Sequence, residues 1–244
     1  MRTGDGYGEM LLDALEDKGE LLEIVERDDG QIMASRFGPQ AYLAPYRKWP
    51  SRQRRAMRLA RGRVLDVGAG AGRVALRLQE RGQEVVSIDA SPGAVETCRR
   101  RGVRDSRLLR VEEVDSSLGT FDTVIMFGNN LGLLASPKRG RRLLKRLHGI
   151  TSDRARILGE TTDPYTTEDP GHLAYHERNR RRGRMSGQLR IRIRYRDLAT
   201  PWFDYLFVSR PELEELLEGT DWRLTRTIED DPHPQYVAVI EKER

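Results

Sequence analysis

The chain is 244 residues long, enough for one α/β-sized domain with an insertion and a substantial buried core. Charged residues make up 33%, and no apolar run approaches the roughly 20 residues of a membrane span. With no signal-peptide order at the N-terminus and one cysteine, Cys98, which offers neither an intrachain disulfide nor metal-site spacing, a cytoplasmic protein with no membrane partner is expected. The net charge of +5 is uneven: residues 1–30 carry ten acids against three bases, while 31–58 hold seven bases and no acid. Such a basic surface suits an anionic partner, either nucleic acid or an anionic small molecule, or is simply solvated.

In chain order, residues 9–26 hold two short amphipathic pieces (Leu11, Leu12, Leu15, then Leu21, Leu22, Val25) parted by Gly19. A loop rich in glycine, proline and aromatics runs from Phe37 through Tyr42 and Tyr46 to Trp49, before a short basic helix over about 51–60. Residues 1–60 therefore read as an N-terminal helical and loop cap. From residue 61 the pattern alternates. Strands are expected at 63–67, 84–88, 107–111, 121–127 and 155–160, with helices between most of them. The helix at 91–101 is well marked, by Ser91 as cap, Pro92 in the first turn and Gly102 as stop. Alternation of this kind makes 61–160 a doubly wound, mostly parallel α/β core. Residues 161–208 read as an inserted hairpin of two alternating runs, 189–195 and 202–208, over a polar stretch. A helix near 210–218 and two strands at 222–228 and 236–240 then close the core sheet.

The sharpest signal lies between Val64 and Asp89. A buried strand (Val64 to Val67) runs into Gly68-Ala69-Gly70-Ala71-Gly72 and then a helix. Glycines here allow a tight turn and close approach of backbone to a ligand, and the helix start offers free N–H groups. A dinucleotide loop would place its third glycine three residues after the second; here position 73 is Arg. Asp66 precedes the first glycine by two, and Asp89 ends the next strand, where an acid can accept both hydrogen bonds of a ribose diol.

The pattern acid-x-G-x-G-x-G followed by that second acid resembles motif I and the ribose acid of the class I (Rossmann-like) S-adenosylmethionine-dependent methyltransferases, over roughly residues 60–160 and the closing strands. The resemblance implies a seven-stranded, mostly parallel sheet with an antiparallel last strand, here carrying an inserted β-hairpin, and S-adenosyl-L-methionine as cofactor. It assigns Asp66, Gly68, Ala69, Gly70, Gly72, Asp89 and Ala90 to the cofactor, with Glu113 and Val114 at the adenine. Phe127, Gly128 and Asn129, at the end of the fourth strand, would face the sulfonium. Tyr42 would meet the cofactor's carboxylate or sulfur, or else anchor the N-terminal segment.

For the acceptor side the candidates are Asn130, which orients a substrate or caps a helix, and His172 and His176, one helical turn apart. A neutral histidine can take a proton from an oxygen or nitrogen acceptor; packing within a polar loop is the plainer reading. No metal is expected, because only Glu160 and Asp163 offer carboxylates in the relevant place. Finally, Arg190, Arg192, Arg194 and Arg196 alternate with Leu189, Ile191, Ile193 and Tyr195, which on a strand puts four guanidiniums on one face. The expected function is methyl transfer to O or N of a small molecule, an anionic one included. The alternatives for the stripe (Arg178–Arg196) are RNA binding, a sheet extended across a homodimer, or pairing with the acidic N-terminus.

Overall fold

The computed structural model describes residues 1–35, 38–230 and 232–243, so Phe37 lies outside the described residues. In chain order the elements are β1 (Arg2–Thr3), α1 (Gly6–Leu15), β2 (Glu23–Arg27), β3 (Ile32–Ser35), α2 (Gly38–Leu43) and α3 (Ser51–Met57). Next come β4 (Val64–Val67), α4 (Arg73–Glu80), β5 (Val85–Asp89), α5 (Pro92–Arg100), β6 (Ser106–Leu108), β7 (Phe121–Met126), α6 (Pro137–Gly149) and β8 (Thr151–Thr162). The chain ends with α7 (Pro170–Arg181), β9 (Gln188–Tyr195), β10 (Leu198–Ala199), β11 (Phe203–Leu206), α8 (Arg210–Leu217), β12 (Trp222–Glu229) and β13 (Gln235–Lys242). No helix among the described residues is long and apolar enough to cross a membrane.

Seven strands form one mostly parallel sheet in the order β12-β13-β8-β7-β4-β5-β6, with β13 antiparallel to both β8 and β12. The strand–helix alternation read from 61–160 is therefore present, and the last strand is antiparallel. A second sheet has the order β1-β10-β9-β2-β3, with β11 also on β9. The inserted strands are thus joined to strands that the N-terminal composition did not suggest. Residues 23–26 were expected to continue an amphipathic piece, yet Glu23 to Glu26 pair with β3 on one side and Ile24 to Arg27 with β9 on the other. Strand preference reports the fit to neighbours, and here the deciding neighbour lies about 170 positions away.

The chain divides into two compact units: Met1–Trp49 with Arg61–Glu113 and Ile191–Phe203, and Pro50–Ala60 with Val114–Arg190 and Asp204–Arg244. In the first, Met10, Leu11, Ala14, Leu21, Ala71, Ala94 and Tyr195 make one buried cluster. In the second, the wholly buried side chains include Phe121, Ile125, Met126, Leu131 and Trp222. The polar stretch after β8 holds a helix, α7, started by Asp169, whose carboxylate accepts from the His172 N–H, with Pro170 in the first turn.

Candidate functional site

In the first unit, β4 delivers the chain into the glycine turn. Gly68, Gly70 and Gly72 have φ of +69°, +56° and +73°, a region an L side chain enters only at a cost. The amides of Gly68 and Ala69 bond the Ile88 carbonyl, tying the turn to the end of β5. A Cβ on Gly72 would lie 2.6 Å from Val103 Cγ2, so this glycine is also required by packing. Beneath the turn, the buried Cys98 thiol donates to the Gly70 carbonyl at 3.3 Å. Burial, then the Asp66 carboxylate, pushes that thiol up to about 12, which leaves it an unreactive packing group.

The two acids flank this turn. Asp89 accepts from the N–H groups of Gly70 and Ser91, both at 2.9 Å. Burial raises its pKa and those amides oppose the shift. Ala90, the next residue, is exposed. Asp66 is 2% exposed, and burial pushes it up to about 7, against the pull of Arg73. Among the described residues nothing bonds its Oδ2. A buried carboxylate oxygen left without a donor is costly unless a ligand supplies one, and an ammonium group would do so.

This acid has a consequence for stability. Its proton is held more tightly in the folded chain than in the unfolded one, so the folded state binds the extra proton between about pH 4 and 7. Stability should therefore fall as pH rises through that window and level off above it. In Asp66→Asn this downward slope should disappear. Urea unfolding of both proteins between pH 4 and 8 checks this; parallel curves would remove the assignment.

The N-terminal helix was not anticipated here. Asp5 accepts from the Gly8 amide, the Ser91 hydroxyl and the Gly93 amide (2.8 to 2.9 Å), pinning α1 to the start of α5. Tyr7 consequently stands over the glycine turn: a Cβ on Gly70 would lie 2.7 Å from its hydroxyl. Tyr42 meets the Tyr7 ring edge-on at 5.5 Å and donates to Glu23 Oε1 at 2.8 Å. Tyr46 and Trp49 have another task. Arg77 and Arg73, one turn apart on α4, stack on their rings at 4.4 and 4.5 Å. Glu113 is exposed and accepts from the Arg110 amide.

In the second unit, Val114 is fully buried, and Phe127 and Gly128 follow β7. The Gly128 amide donates to Glu160 Oε2 at 2.6 Å; the same carboxylate takes Gln53 Nε2 (2.6 Å) and Arg52 Nε (2.7 Å). Asn129, at φ +65°, accepts from the Thr162 hydroxyl at 3.1 Å, and its carbonyl accepts from the Tyr205 hydroxyl at 2.6 Å. Asn130 opens a short 3₁₀ segment, Asn130–Leu134. His172 shares a hydrogen bond with the Thr167 hydroxyl (3.0 Å), while His176 is buried with its ring 6.3 Å from that of Tyr165.

The arginine stripe is matched by carboxylates. Arg192 and Arg194 both bond Glu26, Arg190 reaches Asp204 at 3.5 Å, and Arg196 bonds the buried Asp13 at 2.7 Å. Arg192 also lies over the Trp202 ring. Glu26 is held below the usual carboxylate range, Arg192 being the main cause.

Residues 64–153 match a family model described as a methyltransferase domain. A curated relative, glycine/sarcosine N-methyltransferase of Parasynechococcus marenigrum (strain WH8102), is 33% identical over 93 residues, which is 36% of this chain and 33% of that protein. The match thus spans about a third of that relative's length. Among solved structures, an S-adenosylmethionine-dependent methyltransferase from Bacteroides fragilis in complex with S-adenosyl-L-homocysteine aligns with a TM-score of 0.82 and 25% identity, covering 98% of this chain and 95% of its own. The CcbJ methyltransferase from Streptomyces caelestis shares the fold at a TM-score of 0.60 and 16% identity, over 84% of this chain and 98% of its own.

Proposed function

Because this chain belongs to the class I S-adenosylmethionine-dependent methyltransferases, we propose that it transfers the methyl group of that cofactor to an oxygen or nitrogen atom of a small-molecule acceptor. One observation carries the reading: three left-handed glycines turn the backbone between Asp89 and the Oδ2 of Asp66, to which nothing among the described residues is bonded. Asp89, with its amide-fixed orientation, suits a ribose diol. Asp66 suits the ammonium of the methionine moiety, and Gly68, Ala69, Gly70 and Gly72 supply close backbone contact. On the family pattern Ala90, Glu113, Val114, Phe127, Gly128, Asn129 and Tyr42 complete the cofactor set, and Asn130, His172 and His176 belong to the acceptor side.

The bound cofactor supplies a methyl group already activated on a positive sulfur, so the protein's share is alignment and exclusion of water. The small-molecule reading is supported by the arginine stripe, whose guanidiniums are engaged by Glu26, Asp13 and Asp204 rather than standing free for a phosphate chain. It is supported as well by a relative named for glycine and sarcosine.

Calorimetric binding of S-adenosylhomocysteine tests the reading. Asp89→Ala should weaken binding about 100-fold or more, roughly 2.7 kcal/mol, with the circular dichroism spectrum unchanged. Equal affinity would remove the ribose role, and no binding to the unaltered protein would remove the function. Labelled cofactor incubated with cell extract should mark low-molecular-weight material; label in RNA would overturn the acceptor class.

A further inference from the structure

In the second unit the chain leaves β7 through two successive left-handed residues, Gly128 and Asn129, at φ +69° and +65°. Glycine adopts that conformation freely. Asparagine does so against a steric penalty, which surrounding contacts have to carry. Three contacts hold Asn129. Its carbonyl accepts from the Tyr205 hydroxyl at 2.6 Å and from the Gly132 amide at 2.8 Å. Its side-chain Oδ1 accepts from the hydroxyl of Thr162, the last residue of β8, at 3.1 Å. Tyr205 belongs to β11, within the inserted run, and it reaches Asn129 because position 132 has no side chain: a Cβ there would overlap the Tyr205 ring.

A glycine at 129 would serve the turn at less cost, so what these anchors preserve is the side chain. With Oδ1 taken by Thr162, the carboxamide NH₂ is left over, and it bonds nothing among the described residues. Asn129 is half-buried at the carboxyl end of β7, where the ligands of a doubly wound sheet collect. An N–H is a poor neighbour for a positive sulfur and a good one for an oxygen lone pair.

We propose that Asn129 donates through its Nδ2 to an oxygen of the methyl acceptor, and that Tyr205 is the positioning residue that holds it there. This rests on the methyl-transfer reading above, and it moves Asn129 from the cofactor's side, where the family pattern puts it, to the acceptor's. It also narrows the acceptor class. The molecule carries a hydroxyl, carbonyl or carboxylate oxygen at or beside the atom that gains the methyl group. Thr162 sets the rotation of the carboxamide, so that its NH₂ rather than its oxygen is presented. The inserted β11 thereby has a task in the reaction: its tyrosine fixes a side chain that the core sheet alone would leave in a strained turn.

Labelled S-adenosylmethionine with the low-molecular-weight fraction of a cell extract gives the transfer rate at saturating cofactor, and calorimetry with S-adenosylhomocysteine gives cofactor affinity. Asn129→Asp keeps the shape and the Thr162 bond but has no N–H. Its transfer rate should fall at least about 30-fold while S-adenosylhomocysteine affinity stays within about twofold. Tyr205→Phe keeps the ring against Gly132 and removes only the hydroxyl; transfer should fall about tenfold, again at unchanged cofactor affinity. Nuclear magnetic relaxation supplies a readout independent of turnover. The Asn129 carboxamide signals, assigned by their loss in Asn129→Asp, should report a rigid group in the unaltered protein and a more mobile one in Tyr205→Phe. Parallel loss of transfer and cofactor affinity in Asn129→Asp would return the residue to the cofactor and overturn the proposal. Full transfer, or an equally rigid carboxamide, in Tyr205→Phe would overturn it as well. If the unaltered protein bound no S-adenosylhomocysteine or transferred no label, the methyl-transfer reading itself would go, and the proposal with it.

Discussion

Gly93→Val should cost about 3 kcal/mol of stability and weaken S-adenosylhomocysteine binding at least about tenfold. The reason is backbone against backbone. A Cβ at Gly93 would lie 2.6 Å from both the Cα and the carbonyl carbon of Gly8, atoms that no rotamer change can move aside. The clash falls where α1 crosses the start of α5, and relief requires the helix to back away. Doing so breaks the three hydrogen bonds that Asp5 accepts from Gly8, Ser91 and Gly93. It also lifts Tyr7 off Gly70. Valine's small advantage over glycine in helix propensity, about half a kcal/mol, is too small to offset this. Gly149→Ala is the control: a Cβ there has nothing within 4 Å, and the change should stay within about 0.5 kcal/mol. Thermal melts measure the first effect, and hydrogen exchange of the α1 amides locates it. A variant melting with the unaltered protein would show that the helices are not held in this contact.

The features that were legible in the sequence are those whose requirements are local. A turn with φ near +60° at alternate positions demands glycine, so Gly68, Gly70 and Gly72 mark it without knowledge of the fold. Ser91 and Pro92 likewise announce α5, and the Ser91 side chain does cap it. Tyr7 and Glu23 could not be found this way. Their placement comes from Asp5 bridging 88 positions to Gly93, and from β2 pairing with β9 more than 160 residues on. Asp5, Ser91 and Gly93 are unremarkable in isolation, and only their meeting positions the helix. The arginine stripe was visible as a pattern, but its meaning depended on which strand lay beside it, and β2 brought Glu26. One signal was present and passed over: Asp169-Pro170 is a sound helix start, hidden within a stretch of otherwise polar composition.

Glu160→Ala should be the most damaging single change in the second unit, at about 3 kcal/mol or more. The carboxylate is 1% exposed and accepts from three donors at once: Arg52 Nε, Gln53 Nε2 and the Gly128 amide. Removing it strands a guanidinium that is itself 8% exposed, together with an amide at the end of β7. Asp230 tempers the loss, because it accepts from the Arg52 amide and lies 3.5 Å from Arg52 Nη1, so the charge is not wholly abandoned. Glu160→Gln separates charge from shape. Its carbonyl oxygen, set where Oε2 lies, can still accept from Gln53 Nε2 and the Gly128 amide, while its NH₂ must face the Arg52 guanidinium, so about half of the alanine cost should remain. Combining Glu160→Leu with Arg52→Met removes both charges and should recover part of the loss, though not all of it, since Gln53 and the Gly128 amide stay without an acceptor. Urea unfolding of the four proteins ranks them. If alanine cost less than about 1 kcal/mol, or if the double variant were no more stable than the alanine variant, the pairing of Glu160 with Arg52 would not be what holds the end of β7.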